Sequence, residues 1–193
     1  MNANEGSKPA GGSRSPQRWA APTIALHWLS AVLIFVLLGL GWFMVHGDLA
    51  APTKFDFFQL HKSLGFLSLA FLLLRLGARF AEPSPPAPPT MRDRERRLAG
   101  LTHAALYALL LAAALSGWLR VSSAIIAIPS RFFGLFVIPN LVGADAALSA
   151  NMALLHYIVS RLIIGLLILH IAAALKHHLV DRDDILVRML PSR

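Results

Sequence analysis

Residues 147–176 read ALSANMALLHYIVSRLIIGLLILHIAAALK. This stretch decides the fold. Arg161 is its only charged residue before Lys176, and a helix needs about 20 apolar residues to cross a bilayer core. It also carries His156 and His170, 14 residues apart. Helical geometry returns that spacing to within about 40° of one face and moves it roughly 21 Å along the axis. An imidazole in hydrocarbon is costly and is seldom placed there without a partner. One helix can therefore present two ligands at two depths of a membrane.

Three more segments have the same character. Trp19 to Val45 contains no charged residue. It is too long and too far from the start to read as a cleaved signal, so it is expected to be retained. The predicted helices span about 19–45, 57–80, 98–119 and 147–176. They define an all-α membrane protein, a four-transmembrane-helix bundle, with a domain over 18–193. Residues 1–17 are rich in Gly, Ser and Pro and are expected to form a disordered cytoplasmic tail. Five prolines between Pro83 and Pro89 separate helices 2 and 3, because proline cannot continue a helix. Residues 120–146 read as an interfacial loop with short helical pieces. The segment DRDDILVRML, Asp181 to Leu190, has the pattern of a short amphipathic helix on the membrane surface, capped by Asp181 and Asp183.

Basic residues set the expected orientation. Lys8, Arg14, Arg18, Arg75, Arg79, Arg92, Arg94, Arg96, Arg97, Lys176, Arg182, Arg188 and Arg193 fall on one side. Lys54, Lys62, Arg120 and Arg131 fall on the other. The positive-inside rule then places both termini in the cytoplasm, in a multi-pass protein of the bacterial inner membrane. A fifth span in 120–146 would reverse that. Trp42 and Trp118 come out together at the outer interface, where indoles are favoured.

With this topology the histidines pair by depth. His27 lies eight residues past Trp19, roughly 12 Å in, and His170 lies six residues before Lys176, roughly 9 Å from the same boundary. His61 and His156 both lie near the outer starts of their helices. The expected pairs are His27–His170 inside and His61–His156 outside, each holding the iron of one haem b. Gly65 and Gly165 offer room for a porphyrin, though glycine is also common in membrane helices for packing alone. A structural zinc site suits the pattern less well, because it wants ligands converging on one point, usually with cysteine. Two axial imidazoles saturate the iron and favour electron transfer over oxygen chemistry.

Composition narrows the classes further. The chain has no cysteine, which removes disulfides, iron–sulfur clusters, thiolate ligation and covalent c-type haem. The net charge of +8 does not imply nucleic acid, since the basic residues flank apolar segments and form no basic face interleaved with aromatics.

The segments IALHWLSA, FQLHKSLGF, LTHAALYALLLAAALSGW, FFGLFVIPNLVG and LHIAAALKHHLVDRDDILVRMLP resemble bacterial cytochrome b561. The resemblance covers about 18–191. It implies four membrane helices, two b haems on His27, His61, His156 and His170, and electron exchange with the quinone pool, ubiquinone being an exchangeable substrate. Some members oxidise superoxide on the periplasmic side and reduce ubiquinone, which makes this an expected oxidoreductase activity. One alternative is a cytochrome b subunit passing electrons between quinone and a partner oxidoreductase of the hydrogenase type. Another is a non-redox haem-binding membrane protein. The short chain favours the stand-alone form.

Further candidates follow. Arg75 is 14 residues after His61, so it shares that face at the inner level and could meet a haem propionate or snorkel to headgroups. Arg161, between the two ligands of helix 4, is a second propionate candidate. Lys62 and Arg120 could steer superoxide to the outer haem. His177, His178 and His103 could hydrogen-bond a quinone on the inner side. Lipid, the quinone pool and either superoxide or a redox protein are the expected partners.

Overall fold

A computed structural model describes residues 18–81, 85–88, 91–126 and 128–191. The expected tail 1–17 lies outside them. Four helices carry the fold: α1 (Ala21–His46), α2 (Ala51–Ala81), α3 (Asp93–Ser122) and α4 (Ala146–Lys176). All four are long and apolar enough to cross a membrane, and they form a four-helix bundle. The chain is a multi-pass membrane protein.

Local chemistry sets the helix ends. Pro22 sits in the first turn of α1, where a missing N–H costs nothing. Asp145 caps α4, its Oδ1 accepting the Leu148 N–H at 3.0 Å. At the start of α3 the Arg92 N–H donates to Glu95 Oε2 at 3.2 Å, and Asp93 and Glu95 lie in the first turn, where acids meet the positive end of the helix dipole. That polar turn extends α3 five residues before the apolar run. α2 likewise starts at Ala51 rather than about 57, with Thr53, Lys54 and Asp56 on turns that precede its apolar part.

α3 packs most extensively on α4, and α1 on α2. Ile34 of α1 meets Val159 and Ile163 of α4 at mid-height, flanked by Leu109, Leu110, Ala112 and Ala113 of α3. Large apolar side chains such as Phe35, Leu73, Leu101 and Leu162 are exposed along the bundle. In water this surface would drive aggregation. In lipid it is the expected exterior, because every backbone group of a helix is satisfied within it.

The α3–α4 connection departs from the expected helical pieces. It forms a two-stranded antiparallel hairpin, β1 (Ser130–Phe132) with β2 (Phe136–Ile138). Phe133 and Gly134 both take positive φ, 47° and 78°, which closes the turn. Phe132, Phe136, Val137 and Ile138 are of the aromatic and β-branched types that favour strands. Ser63 of α2 anchors this hairpin. Its hydroxyl lies 3.0 Å from the Arg131 carbonyl and accepts the Phe133 N–H at 2.9 Å.

The segment after α4 also differs from the expected amphipathic helix. A π-helical turn (His177–Asp181) ends at Arg182, whose φ is 54°, and a single 3-10 turn (Val187–Met189) follows. The segment folds back across the ends of the other helices. Trp28 Nε1 donates to the Met189 carbonyl at 2.7 Å, and Arg188 Nη1 reaches the Pro86 carbonyl. Asp183 does accept a nearby backbone N–H, from Ile185 at 3.1 Å, whereas Asp181 binds Lys176. Below, the end bearing this segment is the termini end, and the opposite one is the hairpin end.

Candidate functional site

α4 brings a histidine to each end of the bundle. His156 faces His61 of α2, and His170 faces His27 of α1. In both pairs the ring centroids are 6.3 Å apart. A metal–imidazole bond is about 2 Å and a ring nitrogen lies about 1 Å from the ring centre, so two imidazoles on opposite sides of one metal stand roughly 6 Å apart. The spacing is too long for a direct hydrogen bond between rings and fits a six-coordinate iron between them.

At the hairpin end a glycine of α1 and one of α3 stand against the rings, and only the second is tight enough that a Cβ would crowd its ring. A Cβ on Gly41 of α1 would lie 3.5 Å from His61 Cε1, and one on Gly117 of α3 would lie 3.2 Å from His156 Cε1. Nothing lies within 4 Å of a Cβ placed at Gly65 or Gly165. His156 Nδ1 donates to the Ala113 carbonyl at 2.9 Å, with Ser116 Oγ at 3.3 Å. That leaves the Nε2 lone pair for a metal, the arrangement common among ligating histidines. His61 Nδ1 is buried and has no hydrogen-bond partner, which marks a polar site completed by a bound group.

Lys62, Arg120 and Arg131 lie at this end. Lys62 Nζ and Gln59 Nε2 both donate to the Pro129 carbonyl, at 3.3 and 3.0 Å. Arg120 is exposed, while its carbonyl accepts from Ser149 Oγ at 3.1 Å.

At the termini end Arg75 joins the pair. Its Nη2 donates to His27 Nδ1 at 3.1 Å, and its guanidinium lies 5.4 Å over the Tyr107 ring. His103 of α3 stands edge-on to His170, centroids 5.4 Å apart. An iron on His27 Nε2 would leave the proton on Nδ1, so the guanidinium would need a new acceptor. A propionate carboxylate is a fitting one.

His177 and His178 divide. His177 is buried, with Nδ1 2.7 Å from Asp183 Oδ2 and 3.1 Å from Asp181 Oδ2. It lines a cleft of about 390 Å³ with Met91, Arg92, Glu95 and Lys176. Lys176 bridges Glu95 and Asp181 at 2.8 and 2.7 Å. His178 is exposed. Among the described residues His177, Asp181 and Asp183 form the one convergent set of metal-type ligands, and the Lys176 ammonium already meets Asp181.

The structure does not bring Arg161 to either pair. At 100° per residue it points about 140° from His156 and about 180° from His170. It is exposed, with its guanidinium 5.0 Å over the exposed Tyr157 ring. At that position the side chain faces away from both histidine pairs and from any propionate between them.

A four-span bundle with facing histidines at both ends belongs to the class of membrane haem carriers. Residues 18–192 match the family described as prokaryotic cytochrome b561. Cytochrome b561 homolog 2 of Escherichia coli (strain K12) is 36% identical over 179 residues, covering 92% of this chain and 94% of that protein. The probable superoxide oxidase CybB of Yersinia pestis is 26% identical over 183 residues, covering 92% and 98%. Cytochrome b561 homolog 1 of E. coli is 27% identical over 186 residues, covering 91% and 98%. The chain belongs to the prokaryotic cytochrome b561 family. It is a membrane electron-transfer protein of a family that binds haem b.

Proposed function

We propose that the chain holds two haems b, one between His61 and His156 and one between His27 and His170, and oxidises superoxide while reducing ubiquinone. The observation that carries this is the repeated 6.3 Å spacing at the two ends of one helix. The likeness to the probable superoxide oxidase of Y. pestis supports the choice of donor. Each bound haem would accept and pass one electron at a time with no open iron position. Two superoxide anions yield two dioxygen molecules, and their two electrons with two protons convert ubiquinone to ubiquinol.

The chain's residues divide this work. The hairpin end faces the periplasm, where Lys62, Arg120 and Arg131 attract the anion. The termini end faces the cytoplasm, a reading supported by the basic flanks. There Arg75 takes a propionate. His103 and His177 line the approach of the quinone, and the His177–Asp183 pair can hold a proton near it. His178, being exposed, serves at most the mouth of that approach. The bundle lies in the bacterial inner membrane, so the quinone enters from lipid.

The test uses purified protein in detergent. A reduced-minus-oxidised spectrum and a haem-to-protein ratio count the haems. Superoxide pulses with ubiquinone then follow electron arrival. Two low-spin haems that superoxide reduces rapidly, with quinol formed, support the reading. Two haems inert to superoxide overturn the donor and point to a protein partner. No haem at all overturns the whole.

A further inference from the structure

We infer that Trp28 is a positioning residue for the termini-end haem. Its indole, tied to residues 182–190 through the Met189 carbonyl, sets the plane of the His27 ring. The inference rests on the two-haem reading above and concerns how one axial ligand is oriented.

An imidazole bound through Nε2 can turn about the metal–nitrogen bond until a neighbour fixes its plane. At His156 a carbonyl does this, since the Ala113 oxygen accepts from Nδ1 at 2.9 Å. At His27 the atom beside Nδ1 is Arg75 Nη2, 3.1 Å away. A guanidinium can only donate. With iron on Nε2 and the proton on Nδ1, that contact cannot hold the ring. The Trp28 indole stands edge-on to the same ring, centroids 5.4 Å apart and planes at 87°, a favoured geometry for two aromatic rings. The two histidine pairs also differ in ring angle: His27 and His170 stand at 57°, His61 and His156 at 79°.

The indole needs its own anchor, because Trp28 is 39% exposed and packing alone does not fix it. Its Nε1 donates to the Met189 carbonyl at 2.7 Å. That carbonyl belongs to a segment tied at three places. Asp183 Oδ2 lies 2.7 Å from Nδ1 of the buried His177, at the end of α4. Arg188 Nη1 reaches the Pro86 carbonyl between α2 and α3. The Arg188 carbonyl accepts the Trp19 N–H, before α1, at 3.4 Å. The chain's last turns therefore brace all the connections of the termini end, and through Trp28 the brace reaches the ring of an axial ligand.

Electron paramagnetic resonance of the oxidised full-length protein tests this. The largest g value of a low-spin ferric haem with two imidazoles depends on the angle between their planes. Wild type should give two such signals, and the one that survives His156→Ala belongs to the termini end. Trp28→Phe keeps a ring and removes the N–H. It should displace and broaden that signal, leaving the hairpin-end signal and the haem-to-protein ratio unchanged. Arg188→Gln keeps the indole and loosens its anchor, so it should displace the same signal. Trp42→Phe should move neither, since that indole stacks on His46 at the hairpin end. An unchanged termini-end signal in Trp28→Phe or in Arg188→Gln overturns the inference, and so does an equal displacement of both signals. If Trp28→Phe fails to load the termini-end haem, Arg188→Gln decides alone. Fewer than two haems in wild type rejects the two-haem reading, whereas two haems indifferent to both variants reject the role of Trp28 alone.

Discussion

His156 Nδ1 lies 2.9 Å from the carbonyl oxygen of Ala113, so a side chain of α4 is oriented by the backbone of α3. The carbonyl can only accept, and the ring must donate. The proton is thereby kept on Nδ1 and Nε2 keeps its lone pair. Ser116, almost fully buried, stands beside the same nitrogen. The α3–α4 contact, the most extensive in the bundle, thus fixes the tautomer of one imidazole.

Pairing predicts which haem each histidine removes. His156→Ala should abolish the hairpin-end haem and keep the other, and His170→Ala should do the reverse. Haem-to-protein ratios should halve in both variants. A folded variant that loses both haems would break the pairing scheme.

Gly117 is the tighter of the two glycine contacts, since its added Cβ would approach His156 Nδ1 to 3.3 Å and Cε1 to 3.2 Å. Gly117→Val should therefore displace that imidazole and lower haem content. Gly39→Ala is the control, because nothing lies within 4 Å of its Cβ position. Equal loss in both variants would show that helix packing, not ring clearance, is responsible.

Ser63 is 2% exposed and joins α2 to the hairpin through the Arg131 carbonyl and the Phe133 N–H. Ser63→Ala removes the acceptor of the part-buried Phe133 N–H, at a cost of about 0.5–1.5 kcal/mol. A lower melting temperature with unchanged helicity is expected, and faster proteolysis within 130–138. Unaltered proteolysis would mean that strand pairing alone holds the hairpin.

Electrostatic steering predicts a salt effect. Lys62→Glu and Arg120→Glu should each slow haem reduction by superoxide, and the wild-type rate should fall as ionic strength rises. Arg161→Gln should leave the rate unchanged, since Arg161 is exposed over Tyr157 and away from both histidine pairs. Stopped-flow traces at several salt concentrations would check both. A rate insensitive to salt would remove steering from the mechanism.

The depth argument reached the same histidine partners that the structure brings together, because helix rise converts residue count into height with little error. The same rise puts Arg75 at the inner level, where its Nη2 lies 3.1 Å from His27 Nδ1. Arg161 lies between the two ligands along the chain, but its angle round the helix turns it away from both, to an exposed place over Tyr157. The hairpin was missed because β1 and β2 are three residues each, too short for periodicity to separate strand from loop. The return of residues 182–190 was missed because its contacts, Trp28 to Met189 and Arg188 to Pro86, join positions far apart in the chain. Its amphipathic pattern fits a surface helix equally well.

By itself the sequence determined the four spans, the two levels of histidine and the family, all of which follow from local apolarity and regular spacing. Only the tertiary structure decided the contacts at each imidazole: Arg75 on His27, Ala113 and Ser116 on His156, no partner on His61 Nδ1, and Asp183 on His177. These depend on how helices rotate about their axes and how connections fold back. A membrane helix gives little guide to rotation, since lipid and protein interior are both apolar and no hydrophobic face distinguishes them.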